Sequence, residues 1–260
     1  MRWDLTVPKS WSELSQDQLR YVFTITVTAQ NAMAPMRFMS RDDYSAQLFA
    51  SIAARCLFKW TSLELIGLLD GGKVLVGYLG SEGIMDHTEL VAAYEALAWM
   101  RELPTEPVRL ERIDEAEAVP ADLSSDFSFK AWLACENLWQ GYQLTQDDEL
   151  LRQMAEWLYN KPGLQADAAE RLSIFYWWAA VKTMVSKMFP SFFRPTEVDC
   201  AEPVTPDSLR RGMDAQIRAL TKGDITKEKE ILGLDAIRAL TELDAQAREY
   251  EELNKKYGKH

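Results

Sequence analysis

Along most of this chain, apolar residues recur at the three- and four-residue spacing of helices buried on one side. Between Asp43 and about Trp60, Tyr44, Leu48, Ile52 and Cys56 fall on every fourth position. Leu90, Tyr94, Leu97 and Met100 predict a further helix, with Thr88 as its cap. The same pattern predicts helices over about 127–143, 147–160 and 167–189, the last two separated by Pro162-Gly163. Near the N-terminus, Ser15 and Gln18 have capping-box spacing and open an apolar run from Leu19 to Val27. The β-branched series Thr24, Ile25, Thr26, Val27 and Thr28 works against a helix there.

Two more helices are expected at the C-terminal end. Thr205 and Pro206 have N-cap and first-turn character, and Gly223 ends that helix. The last helix runs from about Thr226 to Tyr257, with Gly233 as an interruption. Strand signals are few. Asp70-Gly71-Gly72 reads as a turn and 73–79 as a short strand, with a second strand within Val108–Ile113. Leu63-Glu64-Leu65-Ile66 reads as helix. The predicted fold is therefore mainly α, a multi-helical globular domain with a minor strand element and a C-terminal helical pair.

Breakers and charge divide the chain into four stretches. Residues 1–103 form a helical segment with the short strand, and 104–189 form an acidic, aromatic-rich helical segment. A proline-rich connector occupies 190–205, and a helical arm follows over 206–260. Truncation near Glu202 is accordingly expected to leave residues 1–190 folded.

Composition narrows the chemistry. Among 260 residues, 47% are hydrophobic and 27% charged, which excludes general disorder. The 40 acids against 29 lysines and arginines give a net charge of −11, disfavouring nucleic-acid binding. Residues 102–170 alone carry 15 acids and 5 bases, whereas 203–260 carry 11 of each. The densest apolar run, Ile174 to Val181, is far shorter than the ~20 residues that span a bilayer, so no membrane partner is expected. The N-terminal residues lack a signal-peptide core. Cys56, Cys135 and Cys200 are odd in number and form no CxxC pair, which points to reduced thiols and a cytoplasmic location.

Motifs for catalysis are weak. Gly67 to Lys73 has the GxxxxGK spacing of a phosphate loop, but Val74 replaces the required Ser or Thr and a strand follows it. Asp86-His87-Thr88-Glu89 sets an imidazole among carboxylates, yet the second histidine is His260 and no ligand cluster is visible. A GxSxG elbow is missing, and carboxylate pairs are too common here to be specific. No catalytic residue, metal or cofactor is expected.

Surfaces for other proteins are better supported. Phe189, Phe192 and Phe193 lie at the mouth of the connector, where they either pin it to the core or anchor a partner. In the last helix Ala236, Leu240, Leu243, Ala247, Tyr250, Asn254 and Tyr257 follow the spacing of a thin coiled-coil seam. Leu240, Leu243 and Tyr250 are its candidate contact residues, and self-association through this helix is one expectation. Ile217-Arg218-Ala219-Leu220-Thr221 recurs as Ile237-Arg238-Ala239-Leu240-Thr241.

Trp11-Ser12-Glu13-Leu14 with Gln18-Leu19, and the run Met213 to Asp224, resemble uncharacterised prophage-encoded proteins of gut bacteria. The resemblance extends to the aromatic helix around Trp132 to Tyr142. It implies a non-enzymatic phage structural or tail-assembly protein that contacts other phage or host proteins, in the cytoplasm of the host cell or in the virion. The alternatives are a small-molecule enzyme with an acidic pocket and a regulator that mimics nucleic-acid charge.

Overall fold

A computed structural model describes residues 5–34, 39–194 and 205–257. Their secondary structure is mainly helical with a small antiparallel sheet. Two compact units divide the chain, one comprising 1–104 with 167–173 and the other 105–166 with 174–260. Cys200 and most of the expected connector, 195–204, lie outside the described residues, as does His260.

The first unit opens with α1 (Gln16–Met33), whose Ser15 and Gln18 form the reciprocal capping box. The threonine-rich stretch is helical after all. Thr24, Thr26 and Thr28 donate their hydroxyls to the carbonyls of Arg20, Val22 and Thr24, at 2.9, 2.8 and 2.7 Å. These bonds occupy the hydroxyls within the helix, and burial of Leu19, Val22 and Phe23 outweighs the rotamer cost. Trp11 stacks on Phe23 and donates its Nε1 hydrogen to the carbonyl of Glu102. Helix α2 (Arg41–Thr61) packs beside α1.

A three-stranded meander follows: β1 (Leu63–Leu69), β2 (Lys73–Tyr78) and β3 (Ser81–Asp86). Leu63-Glu64-Leu65-Ile66 is thus strand, not helix. Ser62 adopts a left-handed conformation (φ 55°) that ends α2 and turns the chain. Helix α3 (His87–Glu95) is capped by Asp86 rather than Thr88, and a 3-10 turn over Ala98–Arg101 finishes the expected helix.

In the second unit the predicted strand near 108–113 shrinks to a two-residue ladder, β4 (Arg112–Ile113) with β5 (Ala116–Glu117). Helices α4 (Phe129–Thr145), α5 (Asp148–Leu158) and α6 (Ala168–Met188) follow the predicted spans; the first residues of α6 group with the first unit. Trp132, Trp177 and Trp178 are 1%, 0% and 0% exposed and centre the core. The indole of Trp177 donates to the carbonyl of Ala121 at 2.7 Å, so the only polar atom of that ring is satisfied.

Helix α7 (Pro206–Thr221) begins at the Thr205 capping box. Lys222 and Gly223, both at positive φ, turn the chain toward the short α8 (Glu228–Leu232). Gly233 then separates α8 from α9 (Ala236–Tyr257).

The C-terminal helices are not a separate arm. The amide of Phe129 donates to the carbonyl of Leu234 at 2.7 Å, and that of Ala236 to Phe127 at 2.9 Å. These bonds join the starts of α4 and α9. Ala236, Ala239, Leu240 and Leu243 then enter the same core as the tryptophans. Truncation near Glu202 would open this core, contrary to the expectation from the prolines.

Asp244 extends the attachment. Its Oδ1 accepts the backbone N–H groups of Ser191 and Phe192 at 2.9 and 3.0 Å, tying the residues after α6 to α9. Asp244→Ala leaves both donors without this acceptor and should cost about 1–3 kcal/mol of stability in chemical denaturation. Asp244→Asn retains an acceptor oxygen in the same place and should recover most of that loss.

Candidate functional site

The six residues expected to contact partners divide sharply. Phe189 is only 6% exposed, while Phe192 and Phe193 are half-buried. Phe193 meets Trp132 edge-on, with centroids 6.3 Å apart, and Phe192 at 4.9 Å. Lys182 Nζ lies 4.9 Å from the Phe193 ring centre and 2.6 Å from Glu136 Oε2. The ammonium therefore has both a carboxylate and an aromatic face as partners. Of the two readings left open, this packing supports attachment of the chain to the core over an exposed anchor.

Leu240 and Leu243 are 0% and 4% exposed. They cannot serve a partner while this core is closed, because the seam they belong to is occupied within the chain itself. Tyr250 differs: it is 67% exposed, as are Leu253 and Tyr257 at 55% and 65%. Leu253 was missed because the 4-3-4-3 spacing selected Asn254 at that level.

The sequence motifs resolve into local structure. In the GxxxxGK stretch, Gly71 and Gly72 have φ of 77° and 72° in the turn between β1 and β2, and Lys73 begins β2. Glycine accommodates this left-handed backbone without a Cβ penalty. His87 is exposed at the start of α3, with its amide bonded to the carbonyl of Gly72 at 2.9 Å. Among the described residues, no group of three or more His, Cys, Asp or Glu side chains could hold a metal ion.

Several carboxylates sit below their usual pKa, each for a local reason. The amide and hydroxyl of Thr88 stabilise ionised Asp86. The hydroxyl and amide of Thr226 do the same for Asp224, as the hydroxyl of Ser124 does for Asp122. A backbone bond from Gly163, then Arg152, lowers Glu156. Such carboxylates are turn and cap acceptors, with the opposite shift from a carboxylic acid poised to donate a proton near neutral pH. Open clefts of about 470 and 530 Å³ flank Ile225, lined by mixed side chains including Asp214, Arg218, Lys130 and Lys229.

What sequence reasoning missed are the two strands, β1 and β3, that pair with the expected strand at 73–79 to make a sheet. Val74, Val76 and Met85 turn one face inward and are 2%, 0% and 0% exposed. Cross-strand partners share a face, so Leu75 and Ile84 lie on the other. The register shifts between Leu65 and Gly67, marking a bulge at Ile66. Ile66 then lies over Gly77, its Cδ1 only 3.5 Å from where a Cβ would be. Leu65 and Leu68 pair with Val76 and Val74 and share their face, yet edge strand β1 leaves them uncovered at 47% and 80%, while Ile66, Leu69, Leu79 and Ile84 are also exposed. The missed signal was LELIGLL itself, whose bulge breaks strict alternation and makes its period ambiguous.

Cys56 and Cys135 are free, and both are 0% exposed. Burial pushes the Cys56 thiol up to about 12 and Cys135 upward as well. Alkylation at mildly alkaline pH should leave both unlabelled in the native protein and modify both after denaturation, read by peptide mass spectrometry. The unfolded thiols ionise first as pH rises. Stability from keeping Cys56 neutral is therefore complete below about 9 and is lost between 9 and about 12.

No protein-family model, curated protein or solved structure matches the chain.

Proposed function

We propose that this chain is a non-enzymatic assembly protein that works by binding other proteins, as a phage structural or tail-assembly component does. The reading places it in the cytoplasm of the bacterial host, with other phage proteins as its partners. The observation that carries it is the apolar sheet of the first unit. Leu65 and Leu68 on the face of Val74 and Val76, and Leu69 and Ile84 on the opposite face, are exposed on a meander whose β1 edge has no further strand among the described residues.

Isolated proteins usually protect such an edge with lysine, proline or a covering element. Strand β1 has only the bulge and a single charge, Glu64. A partner that adds backbone bonds along this edge and covers the leucines gains both hydrogen bonding and apolar burial. The carboxylates favour this reading over a charge mimic. Glu117, Glu136, Glu149 and Glu156 are bonded to Arg112, Lys182 and Arg152 within the second unit. Among the described residues, no helix is long and apolar enough to cross a membrane.

The test is co-purification with each protein encoded beside this chain, comparing wild type with a Leu68→Lys, Ile84→Lys double variant. Both positions are exposed, so the variant should keep its circular dichroism and melting temperature but lose the complex. Undiminished complex formation by the folded variant would remove the sheet as the contact surface. Failure of every neighbour to bind would count against the assembly role.

A further inference from the structure

The exposed end of α9 has a different character from the sheet, and its charges contain a symmetry. With about 3.6 residues per turn, Ala239, Leu243, Tyr250 and Tyr257 fall along one line, with Leu253 beside it. The first part of that face is buried in the core of the second unit. The same face continues past Ala247 as Tyr250, Leu253 and Tyr257, all exposed. The apolar stripe thus outruns the surface that covers it.

The flanks of the stripe carry opposite charges at its two ends. Glu249 and Lys256 are two turns apart on one flank, both exposed. Glu251 lies on the other flank and is held by Arg194 at 3.0 Å. From Arg248 to Tyr257 there are three acids and three bases, whereas the whole chain carries −11. This segment can approach a second copy without the repulsion of the net acidic surface.

We propose that the exposed end of α9 pairs antiparallel with the same helix of a second copy. About a twofold axis, the flank carrying Glu249 and Lys256 meets its own copy. Glu249 of each chain then lies near Lys256 of the other, while Tyr250 packs against Leu253 across the axis. Small Ala247 adjoins Asn254 on the opposite flank. A parallel pair has no such match, because heptad geometry sets Glu249 beside the uncharged Asn254. Charge thus selects both the partner and its orientation. The stripe is short compared with the roughly 1,200–2,000 Å² of a stable complex, so the dimer is weak and reversible. This pairing does not depend on the reading of the sheet.

Sedimentation equilibrium of the full chain at low salt tests it, from micromolar to sub-millimolar concentration. Wild type should show a monomer–dimer equilibrium, and Leu253→Asp should abolish it with circular dichroism unchanged. Glu249→Lys and Lys256→Glu should each weaken dimerisation about tenfold, since each sets like charges against one another. An equal mixture of these two variants should restore it, because every cross-axis contact again joins opposite charges. Leu68→Lys in the sheet should leave it unchanged, which separates this result from the assembly test. A wild-type monomer throughout, or persistence of the dimer in Leu253→Asp, would overturn the pairing, even if another protein binds α9. Equal dimerisation by the single charge variants and their mixture would overturn the antiparallel orientation.

Discussion

Two backbone hydrogen bonds govern the second unit: Phe129 N–H to Leu234 and Ala236 N–H to Phe127. They hold the starts of α4 and α9 together before any side chain is considered. Ala236 and Ala239, both fully buried, add little bulk at this junction. Leu240 and Leu243 can then reach the tryptophan core, and Asp244 can receive the amides of Ser191 and Phe192. The attachment of the chain after α6 therefore depends on where α9 begins.

The chemistry-bearing residues acquire coherent roles in this arrangement. The indoles of Trp11, Trp99 and Trp177 donate to the carbonyls of Glu102, Pro8 and Ala121, and that of Trp178 reaches Glu136, which also binds Lys182. The shifted acids serve as acceptors in turns and at helix starts. These polar groups are tied into the architecture, while apolar groups on the sheet and at the end of α9 remain outside it.

Helix starts were the most legible part of the sequence because their signals are local. Ser15 with Gln18 as a capping box, and Thr205 as N-cap with Pro206 at the first helical position, need only a few neighbouring residues. The β1 strand was obscured because its identity comes from pairing with β2 rather than from its own composition. Likewise, the prolines of 190–206 suggested a free arm, whereas Phe129, Leu234 and Ala236 join segments far apart in sequence. Of the expected contact residues, Tyr250 alone is strongly exposed, since the seam spacing could not distinguish its covered half from its uncovered half. The sheet surface needed the register of all three strands.

The first unit also has an unusual order of arrival. Its main run ends at Pro104, yet Asp167–Ser173 belongs with it. Within that late strip Glu170 is 8% exposed and binds Arg20 at 2.9 Å, across a sequence separation of 150. Synthesis from the N-terminus therefore releases α1, α2 and the sheet well before this carboxylate appears. The meander can pair early through short turns, but Arg20 must wait for its buried partner. During translation, every segment of the sheet is available before the carboxylate that binds Arg20.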